Sequence, residues 1–253
     1  MLRNVEMIVK FEPASLVALL KMETTIDSNT PIGIPAASDG SVIRSSGTYG
    51  WTISLKNKTR IVSCRGKAYG FPMTSHRAEA YGMWSILLFI IRLFEFHNED
   101  PSKVLSLVCD NSSLVDTVNK IAKRKRKQFP NETLEPDWDV INEIVSLIKN
   151  SKQTIEWIRG HQDEKMPKAR LPLPAQLNCE ADELANTAQE ARKLEPLQRR
   201  MVRSPNNPIQ VHVNDVTVTS KLQKTFTETR EDSPTNSSHP TESQLGRRCF
   251  QHD

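Results

Sequence analysis

Val104-Leu105-Ser106-Leu107-Val108-Cys109-Asp110-Asn111 is the stretch on which the fold turns. A single polar residue, Ser106, interrupts an apolar run too short for a helix. That is the pattern of a strand covered on both faces. An acidic residue follows at once. Then Leu114, Val115, Val118 and Ile121 recur at helical spacing, with Ser112 and Ser113 available to cap the helix. A buried strand that feeds a helix is half of a parallel crossover, so the sheet containing it is at least partly parallel.

Upstream, the pattern is that of an antiparallel meander. Ala37–Val42 contains an Asp-Gly-Ser turn. Tyr49–Leu55 alternates through Tyr49, Trp51, Ile53 and Leu55, and Asn57 marks the turn into Arg60–Tyr69. Between meander and buried strand, Met83, Ile86, Leu87, Ile90, Leu93 and Phe94 predict a helix capped by Thr74 or Ser75 and closed before Pro101. Downstream, Asp137–Lys149 reads as a helix, Thr154–Ile158 as a fifth strand, Gly160–Gln176 as a loop and Leu177–Lys193 as the last helix. The class is α/β: a five-stranded mixed sheet, three antiparallel strands then two parallel, flanked by helices. Trp51, Trp84, Trp138 and Trp157 fall on apolar faces and are expected in the core.

The chain has 253 residues and a net charge of +4. The excess suits a polyanionic partner without demanding one. Mean hydropathy is −0.50, low for a chain folded throughout. The expected organisation is an irregular lead-in over 1–32, with a short helix near Ser15–Met22, and a domain over 33–195. A small extension follows over 196–226, where Ile209, Val211 and Val213 alternate as in a short ribbon. A polar, disordered tail over 227–253 completes the chain. Cys64, Cys109, Cys179 and Cys249 show no C-x-x-C pair and no zinc spacing, so buried thiols in a reducing compartment are expected. The longest apolar stretch, Met83 to Phe96, includes Arg92 and Glu95 and falls short of the roughly 20 residues of a membrane span. A soluble, intracellular protein with no membrane partner is expected, nucleus or cytoplasm left open.

Four acids occupy unusual places. Asp39 follows the first strand's apolar end, Glu79 lies in the first turn of a helix, Asp110 ends the buried strand, and Asp182 lies in the first turns of the last helix. Each alone has an ordinary explanation: a turn, a helix-dipole partner, a cap, a solvated face. Together they differ. Two terminate strands expected in the middle of the sheet, and two begin helices that can face the same edge. Crowded carboxylates raise one another's pKa. A hard cation such as magnesium, which takes oxygen ligands, makes such a cluster favourable. Two ions roughly 4 Å apart can activate a water and stabilise the leaving oxygen of a phosphodiester.

Ser38-Asp39-Gly40-Ser41, Arg77-Ala78-Glu79-Ala80, Cys109-Asp110-Asn111 and Ala181-Asp182-Glu183-Leu184-Ala185 resemble the four signature stretches of the ribonuclease H family. The match is closest to domains of retrotransposon reverse transcriptases. Gly160-His161-Gln162-Asp163, Leu171-Pro172 and Ala175-Gln176-Leu177-Asn178 resemble the retroelement form of the loop, and the likeness spans about Ala36 to Arg192. It implies a ribonuclease H-like fold and a metal-dependent endonuclease that hydrolyses the RNA strand of RNA–DNA hybrids. Asp39, Glu79, Asp110 and Asp182 would hold two Mg2+ ions, with Mn2+ as a substitute. His161 would be the mobile histidine that assists proton transfer or product release.

Backbone amides at Gly40 and Ser41, and side chains of Ser75, His76 and Asn111, would touch the RNA strand, read by shape and 2′-hydroxyl rather than by base. The family often carries Asn or Gln where this chain has Ser75 and His76. The basic run Lys123-Arg124-Lys125-Arg126-Lys127 has three readings: a phosphate grip, a solvated helix end, or a nuclear localisation signal. The resemblance also implies origin in a larger retroelement polyprotein and leaves the oligomeric state open. Two alternatives stand beside the active enzyme: an inactive retroelement remnant that binds nucleic acid, and a DNA-directed nuclease or integrase on the same fold.

Overall fold

The computed structural model describes residues 5–9, 17–18, 33–102, 105–125, 134–151, 153–192, 211–213 and 216–220. The meander is present as β2 (Ile34–Ile43), β3 (Ser46–Ser54) and β4 (Arg60–Ala68), each antiparallel to the next. Helix α1 (Ser75–Phe96) follows, and Thr74 caps it by accepting from the Arg77 amide. Strand β5 (Leu105–Cys109) lies parallel to β2, with Ala37 opposite Val108. Helices α2 (Ser112–Ala122) and α3 (Trp138–Ser151) lead to β6 (Thr154–Trp157), parallel to β5. Helix α4 (Leu173–Arg192) closes the domain. The mixed α/β architecture expected from the sequence, read there as ribonuclease H-like, is therefore present.

The two sheet faces explain the composition of β3, the strand that is almost wholly buried. On one face Tyr49 stacks near Tyr81 of α1, Trp51 packs on Phe89, and the Trp51 indole donates to Ser85 Oγ at 3.0 Å. On the other face the intervening residues are small or hydroxylic. Thr48 Oγ1 donates to the Ala185 carbonyl at 2.8 Å, and Gly50 leaves room for the backbone of α4 at Ala181 and Ala185. Alternation that reads as one buried and one wet face is here two buried faces, one packed by large side chains and one by a close helix. The main core lies between the sheet and α1, α2 and α3. Ala37, Val108, Leu177 and Ala181 form a smaller one under α4.

Several expectations are corrected. The lead-in contributes a sixth strand, β1 (Val5–Val9), antiparallel to β4, which covers an edge that would otherwise leave backbone groups unpaired. The sheet order is thus β1-β4-β3-β2-β5-β6. Strand β2 continues past Asp39 to Ile43, so Asp39 is inside a strand and not at its end. Asn111, rather than Ser112 or Ser113, caps α2 by accepting from the Leu114 amide at 3.0 Å. Helix α4 begins at Leu173, inside the expected loop, because Pro174 in a first turn gives up an amide that has no helical partner there. Asp182 is consequently mid-helix.

Val211–Val213 (β7) and Val216–Val218 (β8) pair as an antiparallel ribbon. Of the short helix expected near Ser15–Met22, Val17 and Ala18 are helical, and the rest lies outside the described residues. The tail over 227–253, with Cys249, also lies outside them. Cys64, Cys109 and Cys179 are buried free thiols. Among the described residues no helix is long and apolar enough to cross a membrane.

Candidate functional site

Parallel pairing of β2 with β5 sets the site. Ala37 lies opposite Val108, so two residues further along each chain Asp39 and Asp110 come side by side. Gly40 does the rest. It has no side chain toward α1, and an added Cβ would run into the backbone of Ala78 and Glu79. The helix therefore sits directly on the strand, and the Glu79 carboxyl reaches and hydrogen-bonds Asp39. The Gly40 amide donates to Asp39 Oδ1 at 2.7 Å.

Asp110 is held from three directions. Asn178 Nδ2 donates to its Oδ2 at 3.3 Å, and Gly160 backs against the carboxylate so closely that a Cβ would collide with it. The Trp157 indole donates to the Asp110 carbonyl at 2.9 Å. Glu79, Cys109 and Asp110 present oxygen or sulfur atoms within 4.8 Å of one another, and the Cys109 thiol lies 3.8 Å from Glu79 Oε2. Asp182, on α4 one turn beyond Asn178, accepts from Asn186 Nδ2 at 2.9 Å, and its charge also bears on Asp39.

The electrostatics are those of negative charge forced into poor solvation. Burial, with added repulsion from Asp110 and Asp182, pushes Asp39 up to about 7 against the opposing pull of its hydrogen bonds. Glu79 is raised well above the usual carboxylate range, first by burial and then by Asp39. Burial beside Glu79 likewise raises the Cys109 thiol. Such a group of carboxyls is costly when ionised without a counter-charge. The oxygens of Asp39, Glu79 and Asp110 fit a divalent cation of the magnesium or manganese type, while burial keeps the neighbouring Cys109 a neutral thiol outside such a donor set.

The remaining expected residues fall in different places. His161 is exposed on the loop after Gly160, in the left-handed region with φ 49°, and its side chain makes no helix-cap hydrogen bond. The Ser41 carbonyl accepts from Gln189 Nε2 at 2.9 Å. The Asn111 side-chain oxygen is engaged in capping α2. Ser75 and His76 line a separate groove of about 960 Å³ together with Lys120 and Arg124. There His76 Nδ1 lies 3.1 Å from Asp137 Oδ2. Lys123 and Lys125 are exposed at the end of α2, whereas Arg126 and Lys127 lie outside the described residues. The structure thus groups Asp39, Glu79 and Asp110, with Asp182 close enough for its charge to bear on Asp39, and sets Ser75 and His76 apart in the groove.

Three residues of the site go beyond the roles expected from sequence. Trp157, expected in the core, is 53% exposed, because β6 is the sheet's edge strand. Asn178 is almost fully buried against Asp110. Its signal is its place four residues before Asp182, on the same helical face. Cys109 is buried as expected, but it also borders the acidic group.

No family model matches the chain, and no curated protein matches it. The chain is similar to several solved structures. One is ribonuclease H1 of the halophilic archaeon Halobacterium salinarum NRC-1, at 14% identity and a TM-score of 0.40, over 62% of this chain and 98% of that one. Another is the N-terminal RNase H domain of Rv2228c from Mycobacterium tuberculosis, at 18% identity and a TM-score of 0.41, over 64% and 97%. A third is the RNase H domain of PFV, at 15% identity and a TM-score of 0.46, over 62% and 94%. Likeness at this level assigns no residue a role.

Proposed function

We propose that the chain is a metal-dependent endonuclease, of retroelement origin, that hydrolyses the RNA strand of RNA–DNA hybrids. The observation that carries this reading is the buried Asp39–Glu79 pair beside Asp110, with Asp39 pushed up to about 7. Ionised, such a group is costly unless a cation offsets its charge. Asp39, Glu79, Asp110 and Asp182 would hold two divalent ions, which supply positive charge to the attacking and leaving oxygens of a phosphodiester.

The chain's own groups do the positioning. Asn178 fixes the carboxylate of Asp110, and Trp157 fixes its carbonyl. Gly160 and the carboxylate it touches leave little room for Asp110 to swing away. His161, exposed just beyond Gly160, holds or releases a proton near the reacting phosphate. The Ser41 amide and the Asn111 side chain face the RNA strand, whereas the Gly40 amide, expected to do so as well, is already bonded to Asp39 Oδ1 and holds that carboxyl instead. Ser75, His76, Lys120 and Arg124 bind phosphates in the groove, and Lys123 and Lys125, with Arg126 and Lys127, extend the basic surface.

The test is cleavage of a labelled RNA–DNA hybrid with magnesium, compared with duplex DNA of the same sequence and with an excess of chelator. Hybrid cut in the RNA strand, lost on chelation, is expected. Cleavage of duplex DNA instead would favour a DNA-directed nuclease. Binding without cleavage in any metal would favour an inactive remnant.

A further inference from the structure

The ribbon near the C-terminal end lies outside the domain expected over 33–195, and one of its ends is tied firmly into that domain. Thr219, directly after β8, makes a ring of bonds with Phe71. Its amide donates to the Phe71 carbonyl at 2.7 Å, its hydroxyl donates to the same carbonyl at 3.1 Å, and the Phe71 amide donates to the hydroxyl at 3.2 Å. Ser220 Oγ donates to the Pro72 carbonyl at 3.3 Å. On its other side Thr219 is joined to a different part of the chain: the Asp137 amide donates to the Thr219 carbonyl at 2.8 Å. Val218 and Ser220, on either side, are buried.

Those two anchorage points belong to two walls of the groove; α2, with Lys120 and, just past its end, Arg124, is the third. Residues 71–76 lead into α1 and carry Ser75 and His76. Asp137 stands immediately before α3, with Pro136 and Trp138 beside it, and all of these line the groove, as does Ser220. Asp137 is almost fully buried and holds φ at +58°, a conformation unfavourable for a residue with a side chain. Its carboxylate accepts from Arg77 Nη1 at 3.2 Å and Thr74 Oγ1 at 3.4 Å and meets His76 Nδ1 at 3.1 Å. One residue thus ties α1 to α3 through its side chain and to the ribbon through its amide.

We propose that Val216–Ser220 is a strap that holds the α1-entry and α3-entry walls of this groove at a fixed separation, with Thr219 as its positioning residue. The segment therefore belongs to the nucleic-acid-binding surface. This inference rests on the proposed role of the groove. The strap's backbone bonds reach both walls, so loosening it changes where His76 and Trp138 stand without touching the carboxylates around Asp110. Binding then weakens while the chemical step is preserved.

The experiment uses the full chain with Thr219→Val, which removes the hydroxyl and its two bonds, and Thr219→Pro, which removes the amide bonded to Phe71. Two quantities are read: amide hydrogen exchange at Asp137, and KM and kcat for an RNA–DNA hybrid. The expected result is faster exchange at Asp137 in both variants. KM for the hybrid should rise about three- to tenfold, the worth of one or two lost hydrogen bonds, with kcat changed by less than about twofold. Unchanged exchange overturns the strap, whatever the activity. Faster exchange with an unchanged KM, or with KM and kcat lowered together, overturns its role in binding. A parent chain that neither binds nor cuts hybrid overturns the functional reading of the groove, while the exchange result still decides whether the strap exists.

Discussion

At Asp39 charge and fold are at odds. Its carboxyl ordinarily titrates near 3.8 and is pushed up to about 7 in the folded chain. A carboxyl raised on folding adds stability only while it is protonated. Its contribution is complete below about pH 3.8 and is lost as pH rises through about 7. In the metal-free protein, the unfolding midpoint should therefore fall as pH rises between those values, and Asp39→Asn should flatten that fall. Magnesium should raise the midpoint at pH 8 and have little effect at pH 4.5. Thermal melts at the two pH values, with and without magnesium, check both; an equal magnesium shift at both would contradict this account. Trp157 offers a second residue-scale test. Trp157→Phe keeps an aromatic ring but loses the donor to the Asp110 carbonyl, and should lower kcat about fivefold with KM nearly unchanged, the cost of leaving the proposed metal-holding Asp110 less well held. Steady-state kinetics check it. Asp39 and Glu79 stand out in the sequence between small neighbours and Asp110 by closing an apolar run, whereas Asp182, beside Glu183, carries no such local mark. Trp157 was misread because an edge strand carries the same local pattern as a central one.

Elements meet here through glycines and one buried ion triad. Gly50 lets α4 approach β3 so closely that a Cβ would strike the Ala181 carbonyl and the Ala185 amide, both backbone atoms that cannot step aside. Gly50→Ala should push α4 away and carry Asp182 with it. The expected loss is about tenfold in kcat, with a stability cost of about 1–3 kcal/mol, read by kinetics and urea unfolding. Arg77, fully buried, joins α1 to α3. Its guanidinium grips Asp139 through two bonds of 2.8 and 2.7 Å, reaches Asp137 at 3.2 Å, and donates to the Tyr69 carbonyl. Arg77→Leu would strand two buried carboxylates and should cost about 3–5 kcal/mol in urea unfolding. Replacing all three charged groups by apolar residues should cost much less, since no unpaired charge remains. The order of elements was legible from periodicity and from the single buried strand. The start of α4 was not, because Pro174 reads as a loop residue until it is seen to occupy a first turn. Strand β1 was not either, because its partner lies far along the chain at β4.

At the scale of the whole molecule, the sheet serves as a device for convergence. Antiparallel and parallel pairing meet at β2, and Asp39 of β2, Glu79 of α1 and Asp110 at the end of β5 gather at that junction, with Asp182 of α4 near enough for its charge to bear on Asp39. Residues 39, 79, 110 and 182 are distant in sequence, and no local pattern brings them together. Only the parallel register of β2 with β5 and the close seating of α1 and α4 do so. The groove of Ser75 and His76 lies on the α1 side, and the distant Thr219 bonds to Phe71 and Asp137 beside it. That link joins positions 148 residues apart and leaves no trace in the sequence pattern. The most direct measurement of the central claim is RNA-strand cleavage of a hybrid in magnesium by the parent chain and by Asp110→Asn, both shown to be folded. The account predicts cleavage by the parent, abolished by chelation, and a loss of at least about a hundredfold in the variant. A variant that cuts as well as its parent, or cleavage that survives chelation, would contradict it.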